Sequence, residues 1–417
     1  MAVYRFVCFI SLVLACAACA STVDGTHTHA DAAVDSSADR SDVTPALDAT
    51  ADVTPDAPPD VPTLDRGCSA ATCEPIEGMR LGNAARFVVH HDGTTRVWGV
   101  NHSGGFGLGT VGESALTPIT GPSLGPLRQL AVGGNVVCAL TTTGDVYCWG
   151  TSAYGELGDG AVESHRYAPL TSPLLHGAVD LMTSGTRFCA FMRDRTIWCW
   201  GRVWDAAGDP QGDPSFTQPT PMSMPVPFDV ASTASNATAG TTDCAIDVSQ
   251  QLWCHGSALW GELTTDVPTV RLDFARIALP GPVISASVGY WTVCAVTGDG
   301  AVWCWGRNDA GQVPGREGSV TRPVRIEGVP AATRVSVGQV HVCALTREGA
   351  VWCWGNNEHG AVNPTTRDHV LPPQVVQGLP PMRDVACLPY SCAQAIADGH
   401  VWCWGWGGDE PTETVVD

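Results

Sequence analysis

The sequence contains no lysine, because all 22 of its basic residues are arginine, and charged residues make up only 15% of its 417 positions. The arginines form no cluster, and the formal net charge is −20. A protein that follows a phosphate backbone needs a basic patch or stripe. We therefore predict that nucleic acid is not a partner of this protein.

Motifs of common enzymes are missing as well. The chain has no HExxH, no GxSxG and no phosphate-cradling glycine loop, and its Asp-Gly turns lack the spacing of a sialidase Asp-box. We predict a binding protein rather than an enzyme, with no cofactor and no metal site.

A long apolar run is found at the N-terminus, in MAVYRFVCFISLVLACAACAS. About ten apolar residues follow Arg5, which is the length of a signal peptide and too short to span a bilayer. Residues 1–15 are predicted to be a lipoprotein-type signal peptide, since LVLAC resembles a bacterial lipobox that makes Cys16 the lipidated residue. Cys19 is the alternative, and cleavage after ACA would leave a secreted protein. We expect an exported protein, anchored by its lipid at the outer membrane or cell surface of a Gram-negative bacterium.

Residues 16–66 are predicted to form a disordered acidic tether. Positions 21–65 hold ten aspartates and one arginine among Ala, Thr, Ser and Pro, with almost no large apolar side chain. Such a segment buries too little surface to fold, and its charge and its prolines extend it. The tether would hold the following residues away from the membrane.

Glycine, tryptophan and cysteine are abundant, with 46, 15 and 18 residues. A Trp-Gly or its equivalent recurs with spacings of 51, 51, 55, 50, 49 and 50 residues. The recurring positions are Trp98, Trp149, Trp200, His255, Trp305, Trp354 and Trp404. Seven strand-rich units of this length are typical of a propeller with four-stranded blades. Residues 67–417 are therefore predicted to form an all-β, seven-bladed β-propeller of antiparallel blades.

Each unit contains a hairpin between its second and third strands, as in CALTREGAVWCWG. Pairing Cys343 with Cys353 leaves a three-residue turn ending at Gly349, where a left-handed backbone is needed. Glycine stands at the same place in three other units, at Gly93, Gly144 and Gly300. Units three and four have Arg195 and Gln250 there, and unit seven has one extra residue, so these three turns are expected to be less regular.

Six units carry two cysteines at facing positions of this hairpin. The pairs are Cys138 with Cys148, Cys189 with Cys199, Cys244 with Cys254, Cys294 with Cys304, Cys343 with Cys353, and Cys392 with Cys403. The first unit has Phe87 and Val97 instead. If the two cysteines form a cross-strand disulfide, we expect a unit that lacks one to lack the other as well, with apolar residues at both positions. A metal site needs about four ligands, and each unit offers only two thiols, without a recurring histidine or carboxylate. In an exported protein we predict six disulfides, with reduced core thiols as the main alternative.

Three further cysteines, Cys68, Cys73 and Cys387, belong to the predicted folded region. The first and last blades of a closed ring are neighbours, so a bridge from Cys387 to Cys73 or Cys68 would fasten the ring. A local bridge between Cys68 and Cys73 is the alternative.

The stretch VGQVHVCALTREGAVWCWGNNEHG resembles the repeat of the regulator of chromosome condensation family, and the resemblance covers about residues 74–417. It implies a seven-bladed propeller and leaves function open, since the family includes a nuclear exchange factor for a small GTPase and a secreted β-lactamase inhibitor. The fourth unit departs from the pattern with His255, and the seventh ends soon after Trp404. The ring is expected to close with TETVV or EPIEGM as its last outer strand.

In such a blade the loops after the first and third strands emerge at one end of the propeller. They hold most of the non-repeated aromatic residues, which are Tyr154, Trp204, Trp260, Tyr290, Trp291, Tyr390 and Trp406. The acids Asp205, Glu156, Glu262 and Glu358 are interspersed, and His255 and His359 are expected to be structural. An aromatic face rimmed by acids is typical of a protein-binding or glycan-binding surface. We predict a monomeric, surface-anchored recognition scaffold; the alternative is an extracellular glycan-processing enzyme with carboxylates from several blades.

Overall fold

A computed structural model describes residues 78–82, 85–90, 92–202, 217–234, 242–265, 270–405 and 408–416. The predicted signal peptide and tether, including Cys16 and Cys19, lie outside the described residues. The described regular elements are 28 β-strands, arranged as seven antiparallel four-stranded sheets. None of the described residues forms a helix that could cross a membrane. The predicted all-β, seven-bladed propeller is confirmed.

The blades follow one another along the chain, each with four consecutive strands. Blade 1 contains β1 (Gly78–Leu81), β2 (Ala85–Val89), β3 (Thr95–Val100) and β4 (Ser114–Thr120). Blade 2 contains β5 (Leu127–Val132), β6 (Val136–Thr141), β7 (Asp145–Ser152) and β8 (Ser164–His176). Blade 3 contains β9 (Ala178–Thr183), β10 (Arg187–Met192), β11 (Thr196–Arg202) and β12 (Thr217–Pro225). Blade 4 contains β13 (Val230–Ala234), β14 (Thr242–Asp247), β15 (Leu252–Ser257) and β16 (Val270–Ile277).

The remaining three blades repeat this arrangement. Blade 5 contains β17 (Val283–Val288), β18 (Thr292–Thr297), β19 (Val302–Gly306) and β20 (Val320–Arg325). Blade 6 contains β21 (Ala332–Val337), β22 (His341–Thr346), β23 (Val351–Asn356) and β24 (Val370–Val375). Blade 7 contains β25 (Met382–Cys387), β26 (Ser391–Ala395), β27 (Val401–Gly405) and β28 (Gly408–Thr414).

The first strand of every blade lies innermost, and each innermost strand contacts those of the neighbouring blades, with β1 against β25. The outer strand of blade 7 is β28, which contains the start of TETVV, so the first of the two closure predictions is confirmed. The end of EPIEGM instead begins β1, the inner strand of blade 1.

Tryptophan joins neighbouring blades by the same contact at five places. The buried indole of a third strand donates a hydrogen bond of 2.7 to 2.9 Å to a carbonyl of the preceding blade. The pairs are Trp149 with Gly105, Trp200 with Glu156, Trp305 with Glu262, Trp354 with Gln312, and Trp404 with Ala361. Each blade is too small to bury its own faces, so these contacts between blades form the core.

The six predicted disulfides are present, and each joins residues directly opposite each other in the hairpin of one blade. Phe87 and Val97 form the same cross-strand pair in blade 1. The half-cystines are buried in all but one case, the half-buried Cys403. The disulfides therefore belong to the packed interfaces between blades.

The turns of blades 3 and 4 differ from the prediction. Arg195 and Gln250 have φ angles of 64° and 60°, in the left-handed region that Gly349 occupies at 81°. Both donate a backbone hydrogen bond to the residue three positions earlier, as Gly349 does. The expectation of irregular turns in these two blades is wrong, because the hairpin register forces the left-handed conformation on a residue that has a Cβ.

The predicted bridge from Cys387 to Cys68 or Cys73 is also wrong, because Cys387 has a buried free thiol. Its backbone N–H donates to Ser336 Oγ at 2.9 Å, and its sulfur lies within 4.8 Å of a ring nitrogen of His341. Both neighbours belong to blade 6, so the thiol points away from blade 1. Burial raises the pKa of this thiol to about 12. Cys68 and Cys73 themselves lie outside the described residues.

Polar contacts join blade 7 to blade 1. The Asp384 carboxylate accepts a hydrogen bond from the Met79 N–H at 3.4 Å and lies 3.8 Å from the Arg80 guanidinium. The Tyr390 hydroxyl donates to the Gly82 carbonyl at 3.3 Å. Among the described residues, the joint between the first and last blades is therefore non-covalent.

Candidate functional site

The loops after the first and third strands of each blade lie at one end of the propeller, which we call the loop face; the opposite end is the turn face. Of the seven aromatic residues predicted for the loop face, Trp204 and Trp406 lie outside the described residues. The other five, Tyr154, Trp260, Tyr290, Trp291 and Tyr390, are all half-buried in these loops. They are thus partly open to solvent.

Three of these five side chains meet between blades 4 and 5. The ring centroids of Tyr290 and Trp291 are 3.7 Å apart, and those of Trp260 and Trp291 are 6.0 Å apart. The Arg307 guanidinium lies over all three rings, 4.8 to 5.9 Å from their centroids. We call these four residues the aromatic–arginine cluster.

Arg307 was not predicted, although the sequence contains a signal for it. Units two and four carry an aromatic residue followed by Gly-Glu-Leu, and the next unit in each case carries Trp-Gly-Arg. The structure makes the same contact in both places, because Arg202 lies 5.1 Å from the centroid of the Tyr154 ring. The arginine of one blade therefore covers an aromatic residue of the preceding blade, and cation–π attraction favours this arrangement.

Arg307 is held both at its guanidinium and at its backbone. Its Nε donates to Asp309 Oδ2 at 2.6 Å, and the Arg307 backbone N–H donates to the Trp291 carbonyl at 2.8 Å. The Thr292 hydroxyl donates to the Arg307 carbonyl at 2.7 Å. The side chain of Arg307 is still 27% exposed, so the cation is positioned and accessible.

Trp291 has an unfavourable backbone conformation, with φ at 67°. A bulky residue in the left-handed region is uncommon, and the strain is of order 1 to 3 kcal/mol. The Trp291 carbonyl oxygen lies so close to Gly306 that a Cβ at that position would overlap it. The described residues offer no hydrogen-bond partner to the buried Trp291 Nε1. A strained aromatic residue with an unpaired donor is typical of a binding site.

The acids do not form the expected rim. Glu156 and Glu262 are buried, and their carboxylates bind loop N–H groups, including those of Tyr154 at 2.7 Å and Trp260 at 2.8 Å. Burial raises the pKa of Glu262 to about 7. Only Glu358 is exposed, with its carboxylate 2.7 Å from the ring of His369, and Asp205 lies outside the described residues. The prediction of an acidic rim is wrong for both buried glutamates, which order the loops.

The other predicted residues are placed apart from the cluster. Tyr390 lies at the joint between blades 7 and 1, where the Arg86 guanidinium is 4.7 Å from its ring centroid. His255 is buried; its Nε2 lies 3.4 Å from the Asp243 carboxylate, and its ring centroid lies 4.2 Å from that of Phe274. His359, by contrast, is exposed.

Two groups of side chains in the described residues have metal-ligand chemistry. In the first, His341, Cys343 and Cys387, the Cys343 sulfur is engaged in a disulfide. The second is Asp398, His400 and Glu413, where the imidazole bonds the Glu413 carboxylate at 2.8 Å. In the first group His341 Nε2 bonds Ser391 Oγ at 2.8 Å, and the buried Nδ1 has no partner among the described residues. Neither group adjoins the aromatic–arginine cluster.

Comparison with known proteins shows which proteins the chain is similar to. Family models of the regulator of chromosome condensation (RCC1) repeat match residues 127–156, 283–312, 332–361 and 299–345. The human E3 ubiquitin-protein ligase HERC2 is 28% identical over 54% of this chain and 5% of its own length. The mouse secretion-regulating guanine nucleotide exchange factor is 28% identical over 59% of this chain and 54% of its own. The chain thus spans about half of one relative and a small part of the other.

Solved structures show the same fold. Prp20p from Saccharomyces cerevisiae superposes with a TM-score of 0.65 at 19% identity, over 82% of this chain and 87% of its own. Human WBSCR16 superposes with a TM-score of 0.61 at 20% identity, over 75% of this chain and 85% of its own. At these identities the likeness concerns the fold alone.

Proposed function

We propose, from the premise that this chain belongs to the regulator of chromosome condensation repeat family, that it is a scaffold that recognises a protein through its loop face. The aromatic–arginine cluster is the observation that carries the proposal. Tryptophan, tyrosine and arginine are the residues that dominate binding energy in protein interfaces. Here four such side chains lie together, positioned by backbone contacts and partly exposed.

Related structures support a protein partner. One solved structure is that of yeast RCC1 (Prp20) bound to Kap60, and Prp20p is described with binding properties to Gsp1p and histones. These partners belong to those proteins. The present chain shares their fold, and we propose for it the same class of ligand with a different identity.

A protein fits the cluster better than a glycan does. Sugars stack on open aromatic faces, whereas Arg307 already covers the three rings of the cluster. The partly exposed guanidinium and rings suit carboxylates, carbonyls and aromatic side chains of another protein.

We further propose that the scaffold is exported and held at the cell surface through lipid on Cys16, with residues 16–66 as the spacer. The apolar segment, the lipobox-like LVLAC and the acidic composition of the spacer support this. Globomycin, which blocks lipoprotein processing, should cause the precursor to accumulate, and Cys16→Ser should prevent labelling with a fatty acid. Normal labelling of Cys16→Ser would move the anchor to Cys19.

A photo-crosslinking experiment tests the recognition proposal. A photoreactive amino acid is placed in the producing cell at position 290 in the cluster, or at position 348 on the turn face as control. We expect a protein adduct from position 290 alone, and we expect Arg307→Gln to diminish it. Adducts of equal yield from both positions, or carbohydrate adducts at position 290, would contradict the proposal.

A further inference from the structure

The innermost strands enclose a central channel of about 660 Å³ that is separate from the loop-face cluster. This volume lies within the range of small-molecule binding sites. All seven blades contribute to its wall, from Arg80 in blade 1 to Asp384 in blade 7. The channel is therefore large enough for a small organic ligand.

The arginines of the channel are concentrated on one part of its wall, whereas hydroxyl groups are most frequent on the other. Arg334, Arg80 and Arg128 come from blades 6, 1 and 2, while the guanidinium of Arg383 in blade 7 lies beside Gly399 in the hairpin turn. The wall formed by blades 3, 4 and 5 carries Asp180 and five hydroxyl residues, and blade 6 adds Thr333 and Ser336; the five are Thr183, Ser232, Thr233, Ser285 and Ser287. An arc of guanidinium groups thus faces an arc of hydroxyl groups across the channel.

The channel is positive although the protein as a whole is acidic. Arg80, Arg128 and Arg334 face two aspartates there, an excess of one positive charge, whereas the whole chain carries −20. Like charges in a partly desolvated space repel each other, so the gathered arginines favour the binding of an anion.

Asp384 lies between two of the arginines and contacts both. Its Oδ1 accepts a hydrogen bond from Arg334 Nη1 at 2.5 Å, and its Oδ2 lies 3.8 Å from Arg80 Nη1. One carboxylate therefore serves two guanidinium groups. Burial lowers the pKa of Arg80, and the nearby Arg334 lowers it further, because the two cations repel each other. The side chain of Arg334 is 48% exposed and retains N–H groups for an incoming anion.

We propose that the central channel binds a small dianionic oxyanion that carries hydroxyl groups, of the class of sugar phosphates. Guanidinium groups bind phosphate oxygens in a bidentate manner, and charge-assisted bonds of this kind are the strong ones. The arginine arc would hold the phosphate, and the serine and threonine arc would face the sugar hydroxyls. The site differs in place and chemistry from the loop-face cluster.

Asp180 adds a dependence on pH. Burial raises its pKa to about 7, and Arg128 and Arg80 oppose this rise. The charged groups that line the channel around it are Arg80, Arg128, Arg334, Arg383 and Asp384. A bound dianion would repel the ionised carboxylate, so the affinity for the dianion is expected to weaken as the pH rises through 7, and its binding should be accompanied by proton uptake at Asp180.

Calorimetric titration of the full chain tests the proposal, with inorganic phosphate, glucose 6-phosphate and glucose as probes. We expect both phosphates to bind, more weakly at high salt, and glucose to give no signal. Arg334→Gln should weaken binding by about tenfold or more, the equivalent of one charge-assisted hydrogen bond. Asp180→Asn should strengthen binding, more at pH 8 than at pH 6, and only the pH dependence that comes from the second ionisation of the phosphate, at a pKa of about 6, should remain.

Controls separate this site from general effects of charge. Arg325→Gln removes an arginine from the outer strand of blade 5, where the side chain is 57% exposed, and should leave binding unchanged. Arg80→Gln is the second channel variant, to be measured if Arg334→Gln does not fold. The proposal is overturned if phosphate fails to bind at millimolar concentration, if glucose binds as well as glucose 6-phosphate, or if Arg325→Gln weakens binding as much as the folded channel variant.

Discussion

Removal of one disulfide, by changing both Cys294 and Cys304 to valine, should lower the free energy of unfolding by about 2 to 3 kcal/mol. The two residues are ten positions apart and form a directly opposed pair in the blade 5 hairpin. A cross-link across a loop of this length removes that much conformational entropy from the unfolded chain. Valine is apolar and close to cysteine in volume, so the packing between blades should change little.

Urea denaturation of the oxidised protein measures this effect. The midpoint should fall, and the dependence on urea should become steeper, because a chain with one cross-link fewer is more expanded when unfolded. Cys387→Val is the matched control, since Cys387 is equally buried and forms no disulfide in the structure. It should cost less than about 1.5 kcal/mol as a volume-conserving change. Equal losses in the two variants would refute the cross-linking role.

The other five disulfides should stabilise the propeller in the same way as the bridge between Cys294 and Cys304. The combined contribution of the six bridges, at about 2 to 3 kcal/mol each, is comparable with the whole stability of a typical domain. Full reduction is therefore expected to unfold the propeller at 25 °C, and loss of near-ultraviolet circular dichroism would report it. A reduced protein that retains its tertiary spectrum would show that packing between blades suffices.

Three further changes test other contacts. Trp305→Phe removes the indole N–H that donates to the Glu262 carbonyl at 2.7 Å, and should cost about 1 to 3 kcal/mol in urea denaturation because the buried acceptor is left unpaired. Gln250→Gly should raise the free energy of unfolding by about 0.5 to 1 kcal/mol, since glycine relieves the positive φ, and a loss on this change would contradict the strain. Burial raises the pKa of Glu262 from 4.5 to about 7, so the folded state favours the protonated acid and stability is lost as the pH rises through that window. Glu262→Gln should remove this loss, and the gain over the wild type should be larger at pH 8 than at pH 4.5; a constant difference would exclude the carboxyl as its source.

Much of the fold could be predicted from the sequence because it depends on local pairing. The period of about fifty residues sets the number of blades, and the ten-residue spacing of Cys343 and Cys353 sets the register of the hairpin. The alternation of residues along a strand then places both sulfurs on one face. The first unit has Phe87 and Val97 at the positions that Cys138 and Cys148 occupy in the second. Because both cysteines are absent together, the sequence predicts that they form a disulfide.

The candidate site was less predictable, because it is made by contacts between blades. The position of Arg307 over Trp260 and Trp291 depends on how the loops of blades 4 and 5 approach each other, which no local rule gives. The packing of the Cys387 thiol against blade 6 could not be predicted for the same reason. The sequence predicts an exposed Glu262, as an acid in a polar loop, whereas its buried carboxylate accepts a hydrogen bond from the N–H of Trp260 in the same loop.

The most direct test of the recognition proposal is the affinity of the partner found by crosslinking at position 290, measured for Trp260→Ala and for Trp352→Ala. Trp352 is a half-buried tryptophan on the third strand of blade 6, outside the loop-face cluster. A central interface residue contributes about 2 kcal/mol or more, so Trp260→Ala should raise the Kd about thirtyfold, with Trp352→Ala unchanged. An unchanged Kd for Trp260→Ala, or the same loss in both variants, would contradict recognition through the aromatic–arginine cluster.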